Sequence, residues 1–324
     1  PMPDTPNRPP TSEQMRAWIE SVKDPSQILR PKRATKPRPS PEVPTIKLEG
    51  DIARQIETAR TIMGPDAFFG PEQIKEKYPY VRLPDIIPPI PFDQDRMERE
   101  RNADMVLRLV CDTAQDGAPL TGSKLNELLL PSYTARNVTF LFNEPWYKTD
   151  PLFTTQTPRL AWVFMATELL PDSTNKNYVD QTQTIAVHIR NLWQGSDARM
   201  PQQDRDDLRE WDEYYRANFA AQTPEEITAL LNGETIWKKY AQELSNLGIN
   251  QHNRGNLVEH LDHIAFMRQA ADKKSLKTTY AWTATRSDDG FLVVVGNAEA
   301  VGAFLHRWEP GGSDGAIGVL LVRR

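Results

Sequence analysis

The sequence predicts an α+β protein, with a helical N-terminal region followed by a C-terminal domain of short antiparallel strands. Three observations carry this. Apolar residues recur at helical spacing over much of residues 50–130. Near residue 137 the pattern turns to alternation, with Val138, Phe140 and Phe142 on one side of NVTFLFN. Residues 280–324 string short β-prone runs together through turns that bear Gly and Asp.

Taken in order, residues 1–45 read as a disordered, Pro-rich, basic tail. Eleven of the 27 prolines fall in residues 1–44, and the run 30–44 holds five basic residues and five prolines. Proline fixes φ and removes a backbone donor, so this run is expected to be extended and solvated. Within the tail, Thr11–Glu20 could form one short helix with Met15, Trp18 and Ile19 on one face. Residues 46–136 read as a mainly helical domain. GDIARQIETARTIM places Ile52, Ile56 and Ile62 near one helical face, and Pro71 suits a first turn. Asp93 is expected to cap a helix that runs through Met97, Met105, Val106, Leu109 and Val110. LTGSKLNELLL adds another helix.

Residues 137–324 read as the C-terminal domain. NVTFLFN and RLAWVFMATELLP are strand-like, and Asp172 or Ser173 is expected to cap a helix through Val179, Ile185, Ile189 and Trp193. Residues 195–210 are polar enough to predict a loop. Thr223-Pro224-Glu225-Glu226 is a strong helix start, and NLVEHLDHIAFMRQAADKK follows as a further helix. Then come TYAWTATR, FLVVVG, AFLHRW and IGVLLVR, with Asp289-Gly290 as the clearest hairpin signal.

Composition excludes several classes. A single cysteine, Cys111, rules out a disulfide framework and Cys-cluster zinc sites. Net charge is −5, which argues against general polyanion binding. Mean hydropathy is −0.60 and no run of apolar residues is long enough to span a bilayer, so no membrane insertion is expected. The first residues carry no apolar stretch of the secretory kind, so the expected compartment is the cytoplasm, with surface or virion display by a specialised route as the exception.

Few residues suggest chemistry. His260 and His263 lie three apart beside Glu259 and Asp262, where two imidazoles could bind a metal. The spacing lacks the rest of a metal motif, so this face is read as solvated, with no metal and no cofactor. Cys111 follows MVLRLV and is read as a buried thiol. No nucleophile elbow, P-loop or dinucleotide fingerprint occurs, and GGSDG at 311–315 lies between strands. No catalytic residue is assigned. The basic run 30–38 is the one segment that could meet nucleic acid or an acidic partner.

The succession YAWTATR, DG, a short strand with Gly, WEPG and IGVLLVR resembles the C-type-lectin-fold variable proteins of diversity-generating retroelements. It is also similar to the formylglycine-generating-enzyme-like domains that share that fold. The matching residues are Tyr280, Trp282, Thr283, Thr285, Gly290, Gly296, Trp308, Pro310, Gly318, Val319 and Arg323, and residues 157–190 resemble the entry strand and first helix of the module. The resemblance implies a C-type-lectin-like domain over 137–324 with a variable region at 280–324. It implies that Tyr280, Trp282, Trp308, Gly318 and Arg323 hold the scaffold. Ser287, Asp288, Phe291, Asn297, Glu299, Phe304, His306, Arg307, Glu309, Ser313 and Ala316 would then be displayed to bind an unknown ligand, expected to be a protein. The oxidase-like branch of the fold needs a reactive cysteine pair, which this segment lacks. The expected function is therefore non-catalytic recognition. Two alternatives stand beside it: a hydrolase or transferase using His263 and Asp262 between the two domains, and a structural or virion component.

Overall fold

Two four-stranded sheets, flanked by helices, carry the fold of this computed structural model, which describes residues 50–324 apart from 136, 137, 143, 144, 272, 274 and 299–301. The Pro-rich tail, with the short helix expected at Thr11–Glu20, lies outside the described residues.

Helix α1 (Gly50–Met63) buries Ile56, Ala59 and Met63, with Ile52 and Ile62 only partly covered. Strand β1 (Phe68–Phe69) leads into α2 (Pro71–Lys77), which has Pro71 in its first turn. Asp93 caps α3 (Gln94–Asn102), its Oδ1 accepting from the Arg96 amide at 2.8 Å. The helix expected to continue through Val110 stops at Asn102. Asp104 turns the chain with φ 58°, and Met105–Val110 forms strand β2, buried along its whole length. A short run buried on every side has no period by which helix and strand can be separated.

Thr121 caps α4 (Gly122–Thr134). The strand expected at NVTFLFN is absent among its described residues, where backbone pairing amounts to one bridge, Leu141 to Ala303. The alternating rings find partners all the same: Phe140 packs edge-on to Tyr133 and Phe142 stacks on Phe304 at 4.5 Å. Two one-turn helices, α5 (Pro145–Thr149) and α6 (Pro151–Thr155), precede β3 (Ala161–Ala166). Helix α7 (Tyr178–Leu192) buries Val179, Ile185 and Ile189 as expected, with Trp193 buried just beyond it. Its cap is Asn177, not Asp172 or Ser173. Asp172 and Asn175 both take left-handed φ of 57°, and the Ser173 hydroxyl accepts from the Val319 amide instead.

The polar stretch expected as a loop folds mostly as helix α8 (Gln202–Asn218). Leu208 and Trp211 anchor it, and Asp204 and Asp207 are buried beside them. Thr223 and Glu226 form a reciprocal capping box on α9 (Pro224–Leu231). Thr223→Ala is expected to lower stability by about 1 kcal/mol. Urea unfolding followed by circular dichroism checks this, and an unmoved midpoint would refute it. Helices α10 (Ile236–Asn246), α11 (Gly248–Asn253) and α12 (Leu257–Ala270) complete the helical set. No helix among the described residues is long and apolar enough to cross a membrane.

Strands β4 (Tyr280–Arg286), β5 (Leu292–Gly296) and β6 (Phe304–Trp308) form an antiparallel meander. IGVLLVR, expected as one strand, serves both sheets. Ile317–Gly318 (β7) pairs with β4, and in parallel rather than antiparallel fashion. Val322–Arg323 (β8) pairs antiparallel with β3. The sheet orders are β1-β2-β3-β8 and β6-β5-β4-β7.

Strand β2 pairs with β3 at all six positions, Met105 opposite Ala166 through Val110 opposite Ala161. A boundary near residue 137 therefore passes between paired strands of one sheet. The hydrophobic core likewise runs without a break from Ile56 to Val322.

Candidate functional site

The β4–β5 turn and the adjoining end of β6 gather the half-exposed side chains of the second sheet. The turn closes through the Ser287 amide to the Phe291 carbonyl at 2.8 Å and the Gly290 amide to the Ser287 carbonyl at 2.9 Å. Gly290 has φ 97°, a conformation that glycine adopts without a Cβ penalty. The buried Asp150, which caps α6, accepts from the Asp288 amide at 2.9 Å and fixes the turn from outside.

Beneath the turn the scaffold is tightly packed. Tyr280 sits opposite Gly296, where a Cβ would come within 2.1 Å of the Thr279 carbonyl oxygen. Trp282 is fully buried, edge-on to Tyr178 at 5.4 Å and to Trp308 at 6.3 Å. Gly318 leaves room for the Ser173 hydroxyl, which would lie 2.6 Å from an added Cβ. Arg323 is wholly buried between Glu100 and Asp204. Trp308 is half-buried.

On this base a row of rings and cations crosses four elements. The Arg307 guanidinium lies over Trp146 of α5 at 4.8 Å and over Phe291 at 5.7 Å. Phe291 packs on Trp237 of α10 at 4.3 Å, and the Lys238 ammonium lies 5.4 Å from the same indole. The Trp146 Nε1 donates to the Leu305 carbonyl at 3.3 Å. Arg307 is also ion-paired to Asp289, whose carboxylate accepts from the Ser287 hydroxyl. Cations on ring faces keep their charge while covering apolar surface.

The residues expected to be displayed do not all meet here. Asp288, Phe291 and Arg307 do. Glu309, Ser313 and Ala316 lie on the link to β7, where Ser313 is exposed and the other two are half-buried. Gly311 packs against Asn232 and Gly312 against Trp308. Asn297 is half-buried beyond the opposite end of β5, with φ 51°. Glu299 lies outside the described residues. Three expectations of exposure are overturned. Ser287 is buried in the turn that it closes. Phe304 is buried in the stack between Phe142 and His306. His306 packs against Tyr280, and burial pushes its imidazole down to about 4. A strand with helices and loops over both faces does not alternate between core and solvent.

His260, His263 and Asp262 do not form a solvated face; α12 is buried on all sides over Leu257–Met267. The His263 Nε2 meets the Ala166 carbonyl at 3.0 Å, and the His260 Nε2 meets the Arg254 carbonyl. Asp262 is ion-paired to Arg108 and accepts from the Tyr78 hydroxyl at 3.0 Å. An acid/base role for His263 and Asp262 would need an access route that this packing closes. Cys111 is buried, and burial raises its thiol to about 12, so it has no thiolate character. Among the described residues no group of three or more His, Cys, Asp or Glu is placed to hold a metal ion.

Trp146, Trp237 and Lys238 were not identified from the sequence. Each falls in an ordinary helical context, and only the approach of Trp146 to β6 and of Trp237 and Lys238 to Phe291 and the β4–β5 turn joins them to Arg307. The one local signal is a Trp followed by two lysines at a helix start.

No protein-family model, curated protein or solved structure matches this chain.

Proposed function

We propose that this chain is a non-catalytic recognition protein. It would present a hypervariable surface on a C-type-lectin scaffold and be the target of a diversity-generating retroelement. The observation that carries the reading is the division of labour within residues 280–324. Tyr280, Trp282 and Gly296 hold a buried, close-packed base, while Asp288, Phe291 and Arg307 stand at one end of it. Side chains at such an end can change without opening a cavity in the core. A rigid base also reduces the ordering cost of association.

The partner this surface suits is another protein. Tryptophan, arginine and aromatic side chains in one patch are the residue types that dominate protein–protein binding energy. Burial removes Ser287, Phe304 and His306 from the displayed set and leaves Asp288, Phe291 and Arg307 as its core, with Glu309, Ser313 and Ala316 on the link to β7 and Asn297 beyond the opposite end of β5.

The decisive experiment is to sequence the source locus. The expected result is a nearby reverse-transcriptase gene and a template repeat that differs from the codons of residues 280–324 only at adenines. Differences confined to the codons of the exposed and half-exposed positions would accord with this surface. A locus with no repeat removes the retroelement reading.

A further inference from the structure

The row Trp146–Arg307–Phe291–Trp237–Lys238 has a sign as well as a shape. Its two cations are held on ring faces rather than in buried pairs. Lys238 is exposed and has no carboxylate partner among the described residues. It stands in the first turn of α10, whose preceding Thr235 makes no side-chain cap, so the positive end of that helix dipole adds to the field. Among the described residues the acid paired with the row is Asp289, which occupies Arg307 from the tip of the turn, and the exposed Asp288 stands beside it in the same turn. Beside these charges lies apolar surface: Phe291 and Trp146 are half-exposed and Ile236 is 39% exposed.

Building on the recognition reading, we infer that the partner of this chain offers an acidic polypeptide segment that also carries aromatic side chains. Its carboxylates pair with Lys238 and Arg307, and its rings lie on Phe291 and Trp146. Asp289 is then the internal counter-ion that the partner's carboxylate displaces from Arg307. The recognition surface extends beyond the strand region to α5 and α10, which supply Trp146 and Lys238, while the buried Trp237 backs Phe291 from beneath. Charge complementarity of this kind sets specificity and on-rate, and salt weakens it.

The test uses two synthetic copolymers, one of Glu and Tyr and one of Lys and Tyr, titrated against the full chain at low ionic strength. The Glu–Tyr copolymer is expected to bind and the Lys–Tyr copolymer not to. Arg307→Gln should weaken binding about tenfold and Lys238→Gln several-fold. Asp289→Asn keeps the acceptor for Ser287 but removes the competing charge, and should tighten binding. Far-UV circular dichroism confirms that each variant is folded, and Lys238→Gln, at an exposed position, guards against a folding effect at Arg307. Equal binding of both copolymers, no binding of either, or indifference to Arg307→Gln and Lys238→Gln overturns the inference. An unchanged or weaker affinity in Asp289→Asn overturns the displacement by itself. The template-repeat test is independent: a repeat found alongside absent acid selectivity would defeat this inference and leave the recognition reading standing.

Discussion

Acidification from about pH 7 to about pH 4 is expected to unfold the protein cooperatively, because three imidazoles are buried and a fourth, His188, is half-buried, all in the neutral form. Burial lowers His188, His260 and His306 to about 4 from an ordinary 6.5, and holds His263 well below that value. Neighbouring charge reinforces this: Arg323 faces His188, Arg254 and Arg324 face His260, and Arg108 and His260 face His263. Asp204 beside His188 and Glu259 beside His260 oppose it more weakly than burial favours it.

The sign follows from linkage. The unfolded chain takes up protons near pH 6.5 while the folded chain does not until about 4. Stability is therefore full above about 6.5 and falls throughout that window, by up to about 3 kcal/mol for each of the three with a value of about 4. Such a sum is comparable with the ~5–15 kcal/mol of a typical domain. Glu100, Asp262 and the half-buried Asp180, all raised by burial, work the other way, since their protonation on acidification relieves a covered charge. They are three groups against four, and Asp180 is only half-buried. The measurement is circular dichroism at the helix band against pH, with the steepness of the transition giving the protons taken up. A native signal retained at about pH 4 would refute the expectation.

Arg323→Met is expected to cost about 3–5 kcal/mol. Arg323 is fully buried, with its Nε 3.0 Å from the Glu100 Oε1 and its Nη2 2.7 Å from the Asp204 Oδ2. Glu100 is just as buried, and its oxygens rely on the charge of Arg323 and of Arg96 rather than on well-aligned hydrogen bonds. Burial works against the Arg323 charge, yet Glu100, Asp204 and Asp207 hold its pKa above the ordinary value. Removing the arginine leaves two buried carboxylates with Arg96 as the cation beside them, and Asp204 keeps only its neutral donor, the Trp193 Nε1.

The cluster ties α3, α8 and β8 together, so its loss loosens the edge of the first sheet. Equilibrium urea unfolding at neutral pH gives the magnitude. The double substitution Arg323→Met with Glu100→Gln should recover part of the loss, because one uncompensated charge has gone. A single-variant loss below about 1 kcal/mol would mean that water or relaxation already compensates the acids.

The sequence alone made much of the element set legible where local physics decides. Asp93 and Thr223 announce helix starts because a short polar side chain can satisfy orphan amides within one turn. Asp289-Gly290 announces a turn because glycine reaches positive φ. The runs at 161–166, 280–286, 292–296 and 304–308 were visible as strands. The thiol of Cys111 was placed correctly in the core from the apolar run before it.

What escaped depends on distant partners. Met105–Val110 becomes a strand only because β1 and β3 offer pairing on both edges. Gln202–Asn218 becomes a helix because Trp193 Nε1 and Arg323 satisfy the Asp204 carboxylate in the interior. The same holds for the candidate site: Phe291 and Arg307 could be named from the sequence, but Trp146, Trp237 and Lys238 could not.

The sequence by itself thus determined the α+β class, the helix caps, the hairpin turn and the residues most able to stand at its tip, since each rests on contacts within a few positions of chain. Only the tertiary structure decided which of those residues are exposed, which histidines are sealed in the core, and how IGVLLVR divides between two sheets. Burial and ion pairing are sums over neighbours remote in sequence. Arg108 with Asp262, and Arg323 with Glu100 and Asp204, exist as pairs only after the chain has closed on itself.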